Sequence, residues 1–276
     1  MTAVARFTVL EITRRRLLVS LVLIAVLLVA VIGLSPLFTP GLRTETQRAT
    51  FALNSMSGVL GLYLLVSGFA VGMTVVYNDL ESGAAVSIFV KPLSRLEYTV
   101  GKTAAVIIVL AILAATLSVV STILLLANGG TSYDYGAVVT NFLAGAANTL
   151  ILVLLIMALS TVMNNIVAGI FGFVLYELFS GLSSLHTLVV NHVLTAEPWA
   201  GIVKVVYWLV PHSLFSSLPR EIVRVATLGA TPRPGARFNP YAGVPSPSGV
   251  GDILFWAAYC VVIVLVLYLA VRRRQV

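Results

Sequence analysis

Asp-Leu-Glu-Ser-Gly-Ala-Ala-Val-Ser-Ile-Phe-Val-Lys-Pro-Leu-Ser-Arg-Leu-Glu-Tyr-Thr-Val-Gly-Lys, residues 79–102, is a dense run of charge between two long apolar segments. A polar run so flanked sits at a membrane surface and presents its chemistry there. Lys91, Arg95 and Lys102 place that surface in the cytoplasm, because short loops rich in Lys and Arg stay on the side of synthesis. The residue before a proline avoids helical angles, so with Gly83 and Pro92 as punctuation a short helix is expected from about Ala84 to Val90, ending near Lys91. A short helix across the mouth of a membrane protein is suited to docking a partner.

Composition agrees with a membrane location. Hydrophobic residues make up 59% of the 276 positions, charged ones only 10%, and the mean hydropathy is +1.04. Soluble domains run near one quarter charged, so this chain has too little polar surface to remain in water. The net charge of +7 does not imply nucleic acid, because most of the basic residues fall in segments assigned to one membrane face, where they fix topology and meet anionic headgroups. The single cysteine, Cys260, lies in an apolar run and reads as a packing residue.

A span needs about 20 apolar residues. Six segments meet or approach that length: 17–38, 55–77, 98–127, 138–162, 165–185 and 252–271. The first follows Arg14, Arg15 and Arg16 but lacks a small-x-small cleavage site, so it reads as an uncleaved span and not a signal peptide. Asn128, Gly129 and Gly130 close the third, and Asn164 and Asn165 form the tip of a hairpin between the fourth and fifth. With six spans, the basic clusters at Arg6 and Arg14–Arg16, at Lys91–Lys102 and at Arg272–Arg274 share one side, and both termini are expected in the cytoplasm. Residues 186–251 are then external. Within them, 199–218 is expected as a re-entrant or interfacial helix with Tyr207 and Trp208 at headgroup level, 220–228 as a second short amphipathic helix, and 231–250, with its five prolines, as an extended linker. Residues 1–16 place Val4, Phe7, Leu10 and Glu11 at helical spacings, the pattern of an interfacial helix feeding the first span. The fold class is therefore all-α: a polytopic membrane protein of six transmembrane helices forming a single transmembrane domain over 1–276.

Few residues offer chemistry of their own. Val100-Gly101-Lys102-Thr103 mimics the end of a P-loop, but the glycine required five positions before Gly101 is Leu96, and no strand precedes it. Lys102 is expected to snorkel from the base of the third span. His186, His192 and His212 show no zinc spacing, and solvated or headgroup roles are expected for them. Neither a catalytic pairing nor a metal or cofactor set is expected, and a lipid-modifying enzyme would need clustered acids or histidines in the spans. Glu177 stands apart, a carboxylate within the fifth apolar segment, where it is costly unless paired or hydrated. It is read either as the lining of a pathway or as a buried glutamate bonded to a neighbouring helix. Gly145, Gly169 and Gly172 suit close helix contact.

The opening stretch resembles the permeases of type-2 ABC exporters, the membrane halves of transporters driven by a separate ATPase. That family typically shows an acid two before a glycine, a proline nine residues on, then Ser-Arg and Gly-Lys. Here these are Glu81, Gly83, Pro92, Ser94-Arg95 and Gly101-Lys102, and Glu11 with Arg14–Arg16 is similar to the family's amino-terminal elbow helix. Ala84 replaces the threonine common after the glycine. The resemblance implies that 79–91 is a cytoplasmic coupling helix, with Asp79, Glu81, Gly83, Val86, Phe89, Val90, Lys91, Pro92 and Arg95 contacting the ATPase. It implies that ATP is bound by that ATPase subunit and not by this chain. It further implies a second permease as homodimer or heterodimer, surrounding membrane lipids and a plasma-membrane location. Spans with few charges fit a lipid-like, hydrophobic or peptide substrate. A scaffold that anchors a cytoplasmic partner through the same loop, without transport, is the alternative reading.

Overall fold

The computed structural model describes residues 2–14, 16–39, 45–77, 79, 94–128, 135–190, 197–214 and 248–273. They are helical almost throughout: α1 Thr2–Arg14, α2 Leu17–Leu34 with a 3-10 turn Ser35–Phe38, α3 Glu45–Val75, α4 Arg95–Ala127, α5 Tyr135–Ser160, α6 Asn165–Val190, α7 Trp199–Tyr207 and α8 Val250–Arg273. Six of these stretches are long and apolar enough to cross a membrane: Leu17–Phe38, Gly58–Val75, Arg95–Ala127, Tyr135–Ser160, Asn165–Val190 and Val250–Arg273. Chain in hydrocarbon must satisfy every backbone group internally, and a helix of this length is the local way to do it.

The core lies between α4 and α5. α5 packs on α3, α4, α6 and α8, and its stretch Leu150–Leu154 is buried on every side. α4 is enclosed on most sides over Tyr98–Val106 and beyond that buries one face, Val109, Leu113, Leu117, Ser121 and Leu125, at a spacing of four residues. α2 and α8 sit outside, with Leu23, Leu27, Val31, Val262, Leu265 and Leu269 exposed. In water such faces would be an aggregation liability; in a bilayer they are ordinary lipid contacts.

Small residues let the central helices close on each other. A Cβ on Gly68 of α3 would stand 2.1 Å from the Thr149 methyl of α5, and one on Gly172 of α6 would stand 2.6 Å from Ile156. Gly169 meets Phe69 in the same way, so the expectation of close contact at Gly169 and Gly172 holds.

Some boundaries differ from those expected. α6 continues to Val190, so residues 186–190 belong to the fifth span and not to the external segment. α3 begins at Glu45, well ahead of its apolar part. Asn128 does close α4, and its amide also donates to the Gly33 carbonyl at the end of α2 (2.9 Å). Only α7, Trp199–Tyr207, is helical in the described part of the expected 199–218 helix, and Pro211–Leu214 is non-helical yet buried. The expected 220–228 helix and all of the 231–250 linker before Ser248 lie outside the described residues.

Candidate functional site

The charged stretch 79–102 is rooted in a buried ion pair. Asp79 is 6% exposed and Lys102 only 2%. The Lys102 ammonium lies 2.8 Å from Asp79 Oδ2, and the Tyr98 hydroxyl donates to the same oxygen at 2.9 Å. Tyr98 and Lys102 are four apart on α4 and share a face, which is why one carboxylate can receive both. The ammonium also lies 5.7 Å from the centre of the Tyr98 ring, a favourable place for a cation. Snorkelling, the role expected for Lys102, does not occur: the side chain turns inward because a carboxylate waits there.

The first helix seals this pair. α1 packs along α4 and buries Val4, Ala5, Thr8 and Ile12, while Phe7 (60% exposed) and Leu10 (45%) point away. Of the Val4, Phe7, Leu10, Glu11 set expected from spacing, Val4 is buried and Glu11 half-buried on this inward side, whereas Phe7 and Leu10 face outward. A cavity of about 30 Å³ beside Lys102 is lined by Thr8, Glu11 and Ile12 of α1, by Leu17, and by Thr74 and Val75 of α3. α1 turns into α2 at Arg16, a non-glycine residue with φ 57°, a left-handed conformation that costs roughly 1 kcal/mol or more and persists only where packing fixes it.

Ser94 starts α4 with a reciprocal cap. The Glu97 N–H donates to its hydroxyl oxygen at 3.1 Å, and the Ser94 N–H donates to Glu97 Oε2 at 3.0 Å. Arg95 donates from Nη1 to the Val271 carbonyl (3.2 Å) and to the Arg272 carbonyl, so it caps the C-terminus of α8. Of the expected partner-contacting residues, Asp79 and Arg95 are thus placed at the root of the loop. Glu81, Gly83, Val86, Phe89, Val90, Lys91 and Pro92 lie outside the described residues. Glu177 is exposed near the middle of α6, so it is not the buried glutamate of the second reading.

At the opposite end of the spans, a second polar cluster joins α6, α7 and α8. The His186, Tyr207, His212 and Phe255 rings stack in series, with centroids 3.8, 4.1 and 5.4 Å apart. The Tyr207 hydroxyl donates to Asp252 Oδ1 (3.2 Å), and Asp252 Oδ2 accepts from the Gly249 N–H, capping α8. Beyond the stack, the Ser213 N–H donates to the Ser183 hydroxyl oxygen (2.9 Å), while Asn148 pairs with both the N–H and the carbonyl of Leu214 (2.7 and 2.8 Å). Non-helical backbone at such depth is tolerated only where protein groups satisfy it. The solvated role expected for the histidines fails for His212, which is 1% exposed. Tyr207 likewise is buried, while Trp208 remains 45% exposed.

His212 makes this end sensitive to acid. Nδ1 lies 3.3 Å from the Tyr207 carbonyl and bonds it as donor, which leaves Nε2 facing Asp252 Oδ1 at 3.7 Å, too far for a hydrogen bond. Burial pushes the imidazole below its ordinary pKa of 6.5, with the Tyr207 carbonyl and the Asp252 carboxylate opposing. A depressed histidine pKa means that the unfolded chain takes the proton first. Stability is therefore full above about pH 6.5 and declines as pH falls below that value towards the folded-state pKa. Melting temperatures in detergent between pH 7.5 and 5 should fall for the wild type and fall less for His212→Asn. Parallel profiles would show that His212 does not titrate.

Sequence reading missed both clusters. Tyr98 and Lys102 at i and i+4 with an acid at Asp79 was the visible signal for the first. Asp252 in the first turn of a span was the signal for the second. No protein-family model matches the chain, and no curated protein is significantly similar to it.

Proposed function

We propose that this chain is the membrane permease of an ATP-driven exporter, working beside a second permease and driven by a separate ABC-type ATPase. The observation that carries the reading is the Asp79–Lys102–Tyr98 network. It ties the root of the charged loop to α4 under the cover of α1, so a push on residues 80–93 reaches the span bundle directly. Arg95, bonded to the end of α8, gives the other root of that loop a second hold. α1, with Phe7 and Leu10 turned outward, fits an elbow helix whose outer face meets the bilayer surface. Both termini and the loop lie in the cytoplasm, in accord with the segregation of Lys and Arg. Glu177, exposed on a spanning helix, favours transport over a mere scaffold, because an anchor needs no carboxylate at that depth. The substrate is lipid-like, hydrophobic or a peptide. ATP drives the cycle only through different binding of the ATPase to the two permease states.

The test co-expresses the chain with an ABC-type ATPase and reads ATP hydrolysis in proteoliposomes. Phe89 is the proposed anchor, an aromatic in a cytoplasmic loop flanked by Val86 and Val90. Phe89→Ala should weaken ATPase binding by about 30-fold, the effect of roughly 2 kcal/mol at an interface centre, with insertion of the permease unchanged. An ATPase that still co-purifies with the variant, and is still stimulated by it, would place Phe89 in the bilayer surface instead.

A further inference from the structure

We propose that the groove between the tip of the α5–α6 hairpin and the last two turns of α8 binds one anionic phospholipid, with Arg273 on its phosphate. The groove is open, has a volume of about 540 Å³ and is lined by Thr161, Val162, Val266, Leu269, Ala270 and Arg273. The four α8 residues fall at i, i+3, i+4 and i+7, so they form one face of the helix. Along that face the lining changes from apolar to cationic over about 10 Å. Val162, 74% exposed, forms part of the opposite wall.

Each part of this lining selects a part of the ligand. An apolar trough between two spans opens to lipid and takes an acyl chain. A guanidinium at the end of a span stands at headgroup depth and matches a phosphate with two parallel hydrogen bonds. Among the described residues no carboxylate lines the groove, and Arg273 has no ion-pair partner there. A zwitterionic lipid would bring its own cation to a wall with nothing to pair it, whereas an anionic lipid brings none. Basic pockets between spans at a membrane face are suited to such headgroups. The neighbouring Arg272 lies on another face of α8, where its carbonyl accepts from Arg95. The site requires the spans to cross a bilayer but requires no ATPase, so it stands or falls separately from the transport reading.

Native mass spectrometry of the purified chain, titrated with phosphatidylglycerol and with phosphatidylcholine of the same acyl chains, tests the site. The wild type should prefer phosphatidylglycerol by about fivefold, the effect of one basic residue at a membrane surface. Arg273→Gln should abolish the preference and Arg272→Gln should keep it. A phosphatidylglycerol carrying a photoactivatable acyl chain should cross-link to peptides containing 161–162 and 266–270. Ala270→Phe, which fills the trough, should remove those cross-links at an unchanged melting temperature. Equal binding of the two lipids by the wild type would overturn the proposal, as would a preference that survives Arg273→Gln or cross-links confined to other helices. Displacement of the lipid by soluble glycerol phosphate would also overturn it, by assigning the site to a free phosphate.

Discussion

Lys102→Met should destabilise the protein by about 3–5 kcal/mol, the usual cost of removing one partner from a buried ion pair. The reason lies in what remains. Asp79 is 6% exposed, and without the ammonium its carboxylate keeps only the Tyr98 hydroxyl as a described partner. An uncompensated buried charge is expensive, and Asp79 must then either take up a proton or draw water in by moving the end of α3. Asp79→Leu should cost a comparable amount by stranding the lysine. The double variant Asp79→Leu, Lys102→Met should recover most of the loss, because an apolar pair of similar volume replaces two desolvated charges. Melting temperatures of all four forms in detergent give the coupling energy of the pair. Additive losses, with no recovery in the double variant, would mean that the 2.8 Å contact contributes nothing of its own. The same double variant separates stability from function. If the pair transmits motion from the loop, the protein should fold, bind the ATPase and fail to couple hydrolysis to transport.

This network also marks where sequence reading stops. The spans were legible because the bilayer leaves few solutions: a segment of the right length with no charge must be a helix. Asn128 and Asn164 were legible as turn residues because each interrupts an apolar run, and Asn164 does accept from the Ile166 N–H at the hairpin tip. Which face of a helix meets protein and which meets lipid was not legible. Both faces are apolar, so hydropathy could not choose Thr8 and Ile12 of α1 over Phe7 and Leu10. Lys102 was misread for a related reason. Snorkelling is a local rule about a long side chain and its nearest interface, whereas the partner that turns the chain inward lies 23 residues away on another segment. His212 was hidden more deeply. Its burial depends on a non-helical segment held by Asn148, whose bond to Leu214 spans 66 residues, and no periodicity announces such a contact. Gly68, which makes the closest helix approach, was not singled out, while Gly169 and Gly172 were.

Glu177→Gln should reduce transport by about tenfold or more, equivalent to at least about 1.4 kcal/mol of pathway energetics, while leaving expression and melting temperature near wild type. The position of the carboxylate forces the choice. It stands twelve residues into α6, about 18 Å from its start, close to the middle of a 26-residue helix. At that depth a carboxylate turned to hydrocarbon costs about 2.5–3.5 kcal/mol on insertion scales. Yet Glu177 is exposed on the single chain and has no hydrogen-bond partner among the described residues. The face it shares continues through Ser180, Gly181 and Ser184, small or polar residues at spacings of three and four, and nothing lies within 4 Å of a Cβ built on Gly181. In a pair of permeases this stripe would meet its counterpart or water instead of lipid, and the carboxylate would line the space between them. Glu177→Leu sharpens the test, since it removes the cost of facing lipid and should leave the isolated chain at least as stable. If Glu177 serves a pathway, the leucine variant should be well folded and inactive. If both variants transport at the wild-type rate, this stripe faces no pathway, and α6 must present another face to the substrate.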